Sequence, residues 1–76
     1  MTEQEFAEEV VMEIRIRSMM TYVLSKKGYR KFKLSFMKKA NKHLDWDEDK
    51  SRKEFDRFCI SFNVKLLSNG RLYRQR

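Results

Sequence analysis

Three sets of basic residues are spaced for contact with a polyanion. Lys50, Lys53 and Arg57 recur at the spacing of one helix face, with the Ser51 hydroxyl beside them. Lys31, Lys33, Lys38 and Lys39 belong to a segment, residues 25–42, that holds eight Lys or Arg and no acid. The third set, Lys65, Arg71, Arg74 and Arg76, flanks the dipeptide Asn69-Gly70. Ammonium and guanidinium groups in such runs meet phosphate oxygens, and Arg adds a two-pronged match to phosphate or to a guanine edge. Tyr29 and Phe32 interleave with the second set, where rings stack on bases or pack inward. The plainer readings are a solvated basic loop whose aromatics enter the core, and an edge hairpin kept soluble by its charge.

Catalytic and metal chemistry have little to work with. One His and one Cys, His43 and Cys59, make no metal site, and Cys59 falls on an apolar stripe. No glycine-rich phosphate loop occurs. Carboxylates are plentiful, but most stand where helices start and are read as caps. No catalytic residue, metal or cofactor is expected.

The size of the chain, 76 residues, implies one domain with a small core. Two Gly and no Pro favour helices, and 41% hydrophobic residues argue against disorder. A formal net charge of +7 favours DNA, RNA, an anionic membrane or an acidic protein face as partner. The membrane is disfavoured, because the N-terminal helix begins acidic rather than basic. A lone Cys, with no apolar run long enough to span a bilayer or to act as a secretion signal, places the expectation in the cytoplasm or nucleus.

The elements that position these residues follow from caps and periodicity. Thr2 to Glu5 fits a capping box, and a long helix is predicted over 3–24, ending near Gly28. Its apolar residues occupy two sectors. Phe6, Ala7, Val10, Val11 and Ile14 fall in one; Met12, Ile16, Met19, Met20 and Val23 fall largely in the other. One reading gives the first sector to a second chain, most simply a twofold copy. The other breaks the helix so that both sectors face one core. Residues 29–34 alternate partially and are read as a short strand or extended connection. Ser35 caps a second helix over 36–44, with Met37, Ala40, Asn41 and Leu44 inward. A third helix runs from 47 or 48 to 62, with Phe55, Phe58, Cys59 and Phe62 as its core stripe, and Trp46 plugs the corner before it. Runs on either side of Asn69-Gly70 predict a β-hairpin.

This order of elements resembles the winged helix-turn-helix family of DNA-binding domains, a likeness of pattern over residues 33–76. F-K-L-S-F-M-K-K-A-N-K-H-L looks like the family's short strand and first partner helix. D-K-S-R-K-E-F-D-R-F-C looks like its recognition helix, and V-K-L-L-S-N-G-R-L-Y-R like its wing. The resemblance implies a mainly α domain with a C-terminal hairpin and a long N-terminal helix, with residues 29–76 forming the helix-turn-helix and wing. Lys50, Ser51, Lys53 and Arg57 would then face the major groove, with Asn69, Arg71 and Arg74 serving the wing. Lys31, Lys33, Lys38 and Lys39 would add phosphate contacts. Asp47, Glu48 and Asp49 depart from the pattern by placing acid where phosphate would approach. The expected function is a small non-enzymatic binder of double-stranded DNA, regulatory or architectural, and homodimeric through Phe6, Val10, Val11 and Ile14. A basic inhibitor or interaction module acting on a larger protein is the alternative, and an RNA binder the third.

Overall fold

The capping box at the start of the chain forms. In a computed structural model that describes residues 1–68 and 71–73, and side chains through residue 67, the Glu5 amide donates to Thr2 Oγ1 at 3.1 Å and the Thr2 amide donates to Glu5 Oε1 at 2.9 Å. The first helix, α1, is Glu3–Arg17, seven residues shorter than the sequence predicts. It ends in a Schellman motif, in which the Met20 amide donates to the Arg15 carbonyl at 2.8 Å and the Met19 amide to the Ile16 carbonyl at 3.2 Å. Gly ordinarily takes the left-handed position of this motif. Here Met19 does, at φ 52°, followed by Met20 at 70° and Tyr22 at 59°. Relief of that steric conflict predicts that Met19→Gly stabilises the domain by about 1 kcal/mol, read as a rise in thermal midpoint.

The strand β1 (Val23–Ser25) follows, and α2 (Lys26–Leu44) starts at once, because Ser25 Oγ accepts from the Gly28 amide at 3.1 Å. The basic stretch expected to be extended over 29–34 is therefore helix, and Gly28 lies in the first turn of α2 instead of closing α1. A Cβ added to Gly28 would come 3.3 Å from Ser25 Oγ, against the cap itself. Asp45, left-handed at φ 59°, closes α2. A turn of residues 45–47 leads into α3 (Glu48–Ser61), whose N-cap Asp47 accepts from the Lys50 amide at 2.8 Å. A second Schellman motif, with Asn63 left-handed at φ 54°, ends α3 and sends Val64 into the core.

Strands β2 (Lys65–Ser68) and β3 (Arg71–Tyr73) pair antiparallel, as the hairpin signal predicts. The unexpected pairing is β1 with β2, parallel, which completes a three-stranded sheet in the order β1-β2-β3. The domain is mainly helical with this small sheet at one side.

Each helix contributes rings to one core. Phe36 meets Phe6 at 5.0 Å and Phe55 at 5.2 Å between centroids, and Phe32 meets Phe55 at 5.5 Å. Trp46 packs edge-on to Phe6 at 5.5 Å, in the corner before α3. Asn41, expected inward, is exposed, and its side-chain amide donates to the Trp46 carbonyl.

The proposed dimer sector is corrected by this packing. Phe6, Val10 and Ile14 are core residues of their own chain, at 4%, 1% and 0% exposure, and Val11 is half-buried. Because α1 stops at Arg17, its first half is free to cover α2.

Glu13 ties the two helices together. Its carboxylate pairs with Arg17 at 2.7 Å and Lys39 at 3.3 Å and accepts from Ser35 Oγ at 3.1 Å. Burial pushes its pKa up, but Arg17, Ser35 and Lys39 outweigh that and hold it below the ordinary 4.5. A depressed carboxylate pKa stabilises the fold above the unfolded-state value and loses that contribution as pH falls through the folded one. Glu13→Gln is thus expected to cost about 1 kcal/mol at neutral pH. The difference between wild type and variant should shrink in denaturation curves as pH falls below 4.5 and through the lowered folded-state value.

Candidate nucleic-acid interface

Read as one helix, α2 has two opposed sides. Phe32, Phe36 and Ala40 enter the core, and Tyr29, Met37 and Leu44 pack beside them. At 100° per residue, Lys27, Lys31, Leu34, Lys38 and Lys42 fall within about 80° of one another on the other side. All five are exposed, Leu34 at 58%. The stripe runs about 22 Å along the helix. Arg30 stands at its edge, also exposed. Among the described residues none of these cations is held in an ion pair. Beside the stripe, Arg17, Lys31, Lys38 and Lys39 line a shallow groove of about 420 Å³ with Leu34 and Ser35.

The other predicted cations are differently engaged. Lys39 is half-buried and turned to Glu13 and, at 3.9 Å, Glu9. Lys33 is half-buried with its ammonium 5.9 Å from the centre of the Phe55 ring, so its stem covers the core. On α3, Lys50, Lys53 and Arg57 are exposed as predicted. Lys50 Nζ sits 5.0 Å over the Trp46 ring, and Arg57 Nη1 pairs with Glu54 at 3.3 Å. With Arg52 also paired to Glu48 at 2.6 Å, α3 carries four acids against four bases and no net charge. All the positive excess of the helices lies on α2.

Ser51 is corrected. It is 1% exposed, facing the core side of α3 with Phe55 and Cys59, and its Oγ has no hydrogen-bond partner among the described residues. A buried hydroxyl without a partner costs free energy, so Ser51→Ala is expected to leave stability unchanged or raise it by up to about 1 kcal/mol. Polyanion affinity should not move in the same variant. Asn69 and Arg74 lie outside the described residues. Arg71 belongs to β3, with its side chain outside them.

No family model, curated protein or solved structure matches the chain. Function therefore rests on the surface itself. Sequence reasoning places Lys42 beside Lys38 on a face open to solvent or a polyanion, but misses Lys27 and Arg30 as members of the same stripe. Their signal was present in the i, i+4 spacing of Lys27 with Lys31 and of Lys38 with Lys42, but it emerges only when residues 26–44 are taken as a single helix.

Elsewhere the chemistry is quiet. Burial pushes the Cys59 thiol up to about 11, against a hydrogen bond from Tyr29 that pulls it down, so little thiolate exists at neutral pH. Among the described residues no three His, Cys, Asp or Glu side chains cluster to hold a metal ion, and no helix is long and apolar enough to cross a membrane.

Proposed function

We propose that the chain is a small, non-enzymatic DNA-binding protein of winged-helix type that grips the duplex backbone through α2 and serves as an architectural or regulatory factor. The observation that carries this reading is the exposed, acid-free stripe of Lys27, Lys31, Lys38 and Lys42. Like charges at i, i+4 destabilise a helix, so a run of them with no compensating acid points to an anionic partner.

The order of elements supports the same reading. Helices α2 and α3 are joined by a three-residue turn and followed by a hairpin, the sequence of parts expected of a helix-turn-helix with a wing. In that arrangement the first helix of the pair crosses the backbone while the second enters the major groove. The division of charge suits those roles, with α2 uniformly basic and α3 mixed. Since Glu54 engages Arg57 and Ser51 faces inward, the groove side of α3 offers few donors for reading bases, and affinity comes mainly from phosphate contacts.

Titration of a mixed-sequence duplex at low and at moderate salt tests the proposal. Four phosphate contacts predict a log–log salt slope near −3.6, a loss of roughly a hundredfold between 50 and 200 mM salt. Absence of duplex binding at the lower salt overturns it and turns attention to an acidic protein as the partner of the same stripe.

A further inference from the structure

Four large apolar side chains follow one another along the outer side of α1 and its exit. Met12 is 57% exposed, Ile16 72%, Met19 84% and Met20 67%. Nothing in the chain's own core accounts for them, because Phe6, Val10 and Ile14 occupy the opposite side of the same helix. Two of the four also stand in left-handed backbone, a conformation that disfavours side chains as large as Met. Met12 and Ile16 line a groove of about 780 Å³ edged by Glu5, Glu8 and Glu9. Arg17 and Lys39, both paired with Glu13, close its far end.

The charge along α1 is graded. Glu3, Glu5, Glu8 and Glu9 fill its first half, and Arg15 and Arg17 its last turn. Such a gradient is complementary to its own reverse. The geometry points to a twofold dimer in which α1 of one copy packs antiparallel against α1 of a second, with the axis at Met12. Glu8 and Arg15 lie four positions before and three after Met12, and at 100° per residue both turn to the same flank of it, by about 40° and 60°. The antiparallel twofold keeps each residue on its own flank, so it sets Glu8 against the partner's Arg15 twice along that flank. Met12 meets the partner's Met12 on the axis, and on the other flank Ile16 covers the stem of the partner's Glu9. A parallel pairing would instead align acid with acid. The contact is isologous and closes at two copies, and the flexible Met side chains fill its centre. It does not depend on the DNA-binding proposal.

Sedimentation equilibrium of the full chain, from low to high micromolar, supplies the test, with far-UV circular dichroism on every variant. Wild type is expected to reach the dimer mass at high concentration. Ile16→Glu and Met12→Lys, both at exposed positions, should weaken association by about tenfold or more with unchanged helicity. Glu8→Arg and Arg15→Glu each set like charges together and should be monomeric alone. Mixed in equal amounts they restore both flanking pairs and should form a heterodimer. A wild type that stays monomeric, a dimer that survives Ile16→Glu, or a mixture that remains monomeric would each overturn the inference.

Discussion

Replacing Lys27, Lys31, Lys38 and Lys42 together with Gln is expected to remove most duplex affinity while leaving the fold intact or slightly firmer. Each lysine lost from a phosphate contact takes about 0.9 from the salt slope, so the quadruple variant should show a slope near zero from this helix. The same change removes two like-charge i, i+4 pairs, worth about 0.2–0.5 kcal/mol each, and Gln is as good a helix former as Lys. Binding and stability therefore move in opposite directions, which a merely structural role for the stripe would not produce. The matched control is Lys53→Gln with Arg57→Gln on α3. If α3 lies in the major groove, that pair should alter preference among sequences more than the salt slope. Fluorescence anisotropy at several salt concentrations, with thermal melts of each variant, reads both quantities. A quadruple variant that binds with the wild-type slope would exclude α2 as the interface.

Phe55→Ala carries the largest expected effect on stability. Phe55 is fully buried, and its ring meets those of Tyr29, Phe32 and Phe36 at 5.6, 5.5 and 5.2 Å. Truncating a buried Phe costs about 3–5 kcal/mol through lost transfer energy and the cavity left behind. At roughly 0.05–0.15 kcal/mol per residue, a domain this small has only about 4–11 kcal/mol in total. The variant should melt at least about 15 °C lower, or fail to fold cooperatively. Phe62→Ala, on the same helix edge but 36% exposed, should cost far less. Similar losses at the two positions would mean that the core is not centred on Phe55.

Much of this fold can be read from the chain. The Thr2 capping box, the start of α3 at Asp47, the Phe55, Phe58 and Cys59 part of its stripe and the antiparallel pairing of β2 with β3 are local signals and form where the sequence puts them. Phe62, the stripe's fourth member, stays 36% exposed. The failures share one cause. Each depends on a residue acting against its usual preference or on a partner far away in sequence. Met19 closes α1 where a Gly would have announced the end, so the apolar pattern runs past the true stop. Ser25 and Ser35 are equally good caps on paper. The choice of Ser25 rests on β1 holding it extended, and β1 is only three residues long and exists because Lys65–Leu67 pair beside it. With Ser35 as the cap, the basic stretch before it does not read as half of one lysine-lined helix. For the candidate site, the charges on α2 and α3 were legible from composition alone. Their neutralisation was not, because Glu13 reaches Lys39 from another helix and only packing reveals that Ser51 faces inward.

The parallel union of β1 with β2 joins Val23 to Lys65, 42 positions further along the chain. No local turn can zip such a pair, and the loop to be closed contains two whole helices, so the union must follow their docking. The β1–β2 pairing is thus a late arrival in folding, and it opens in hydrogen exchange below the free energy of the aromatic centre. A molecule clipped ahead of Lys65 would keep its helices yet present the Val23–Ser25 backbone as a bare edge, a template for strands from other molecules.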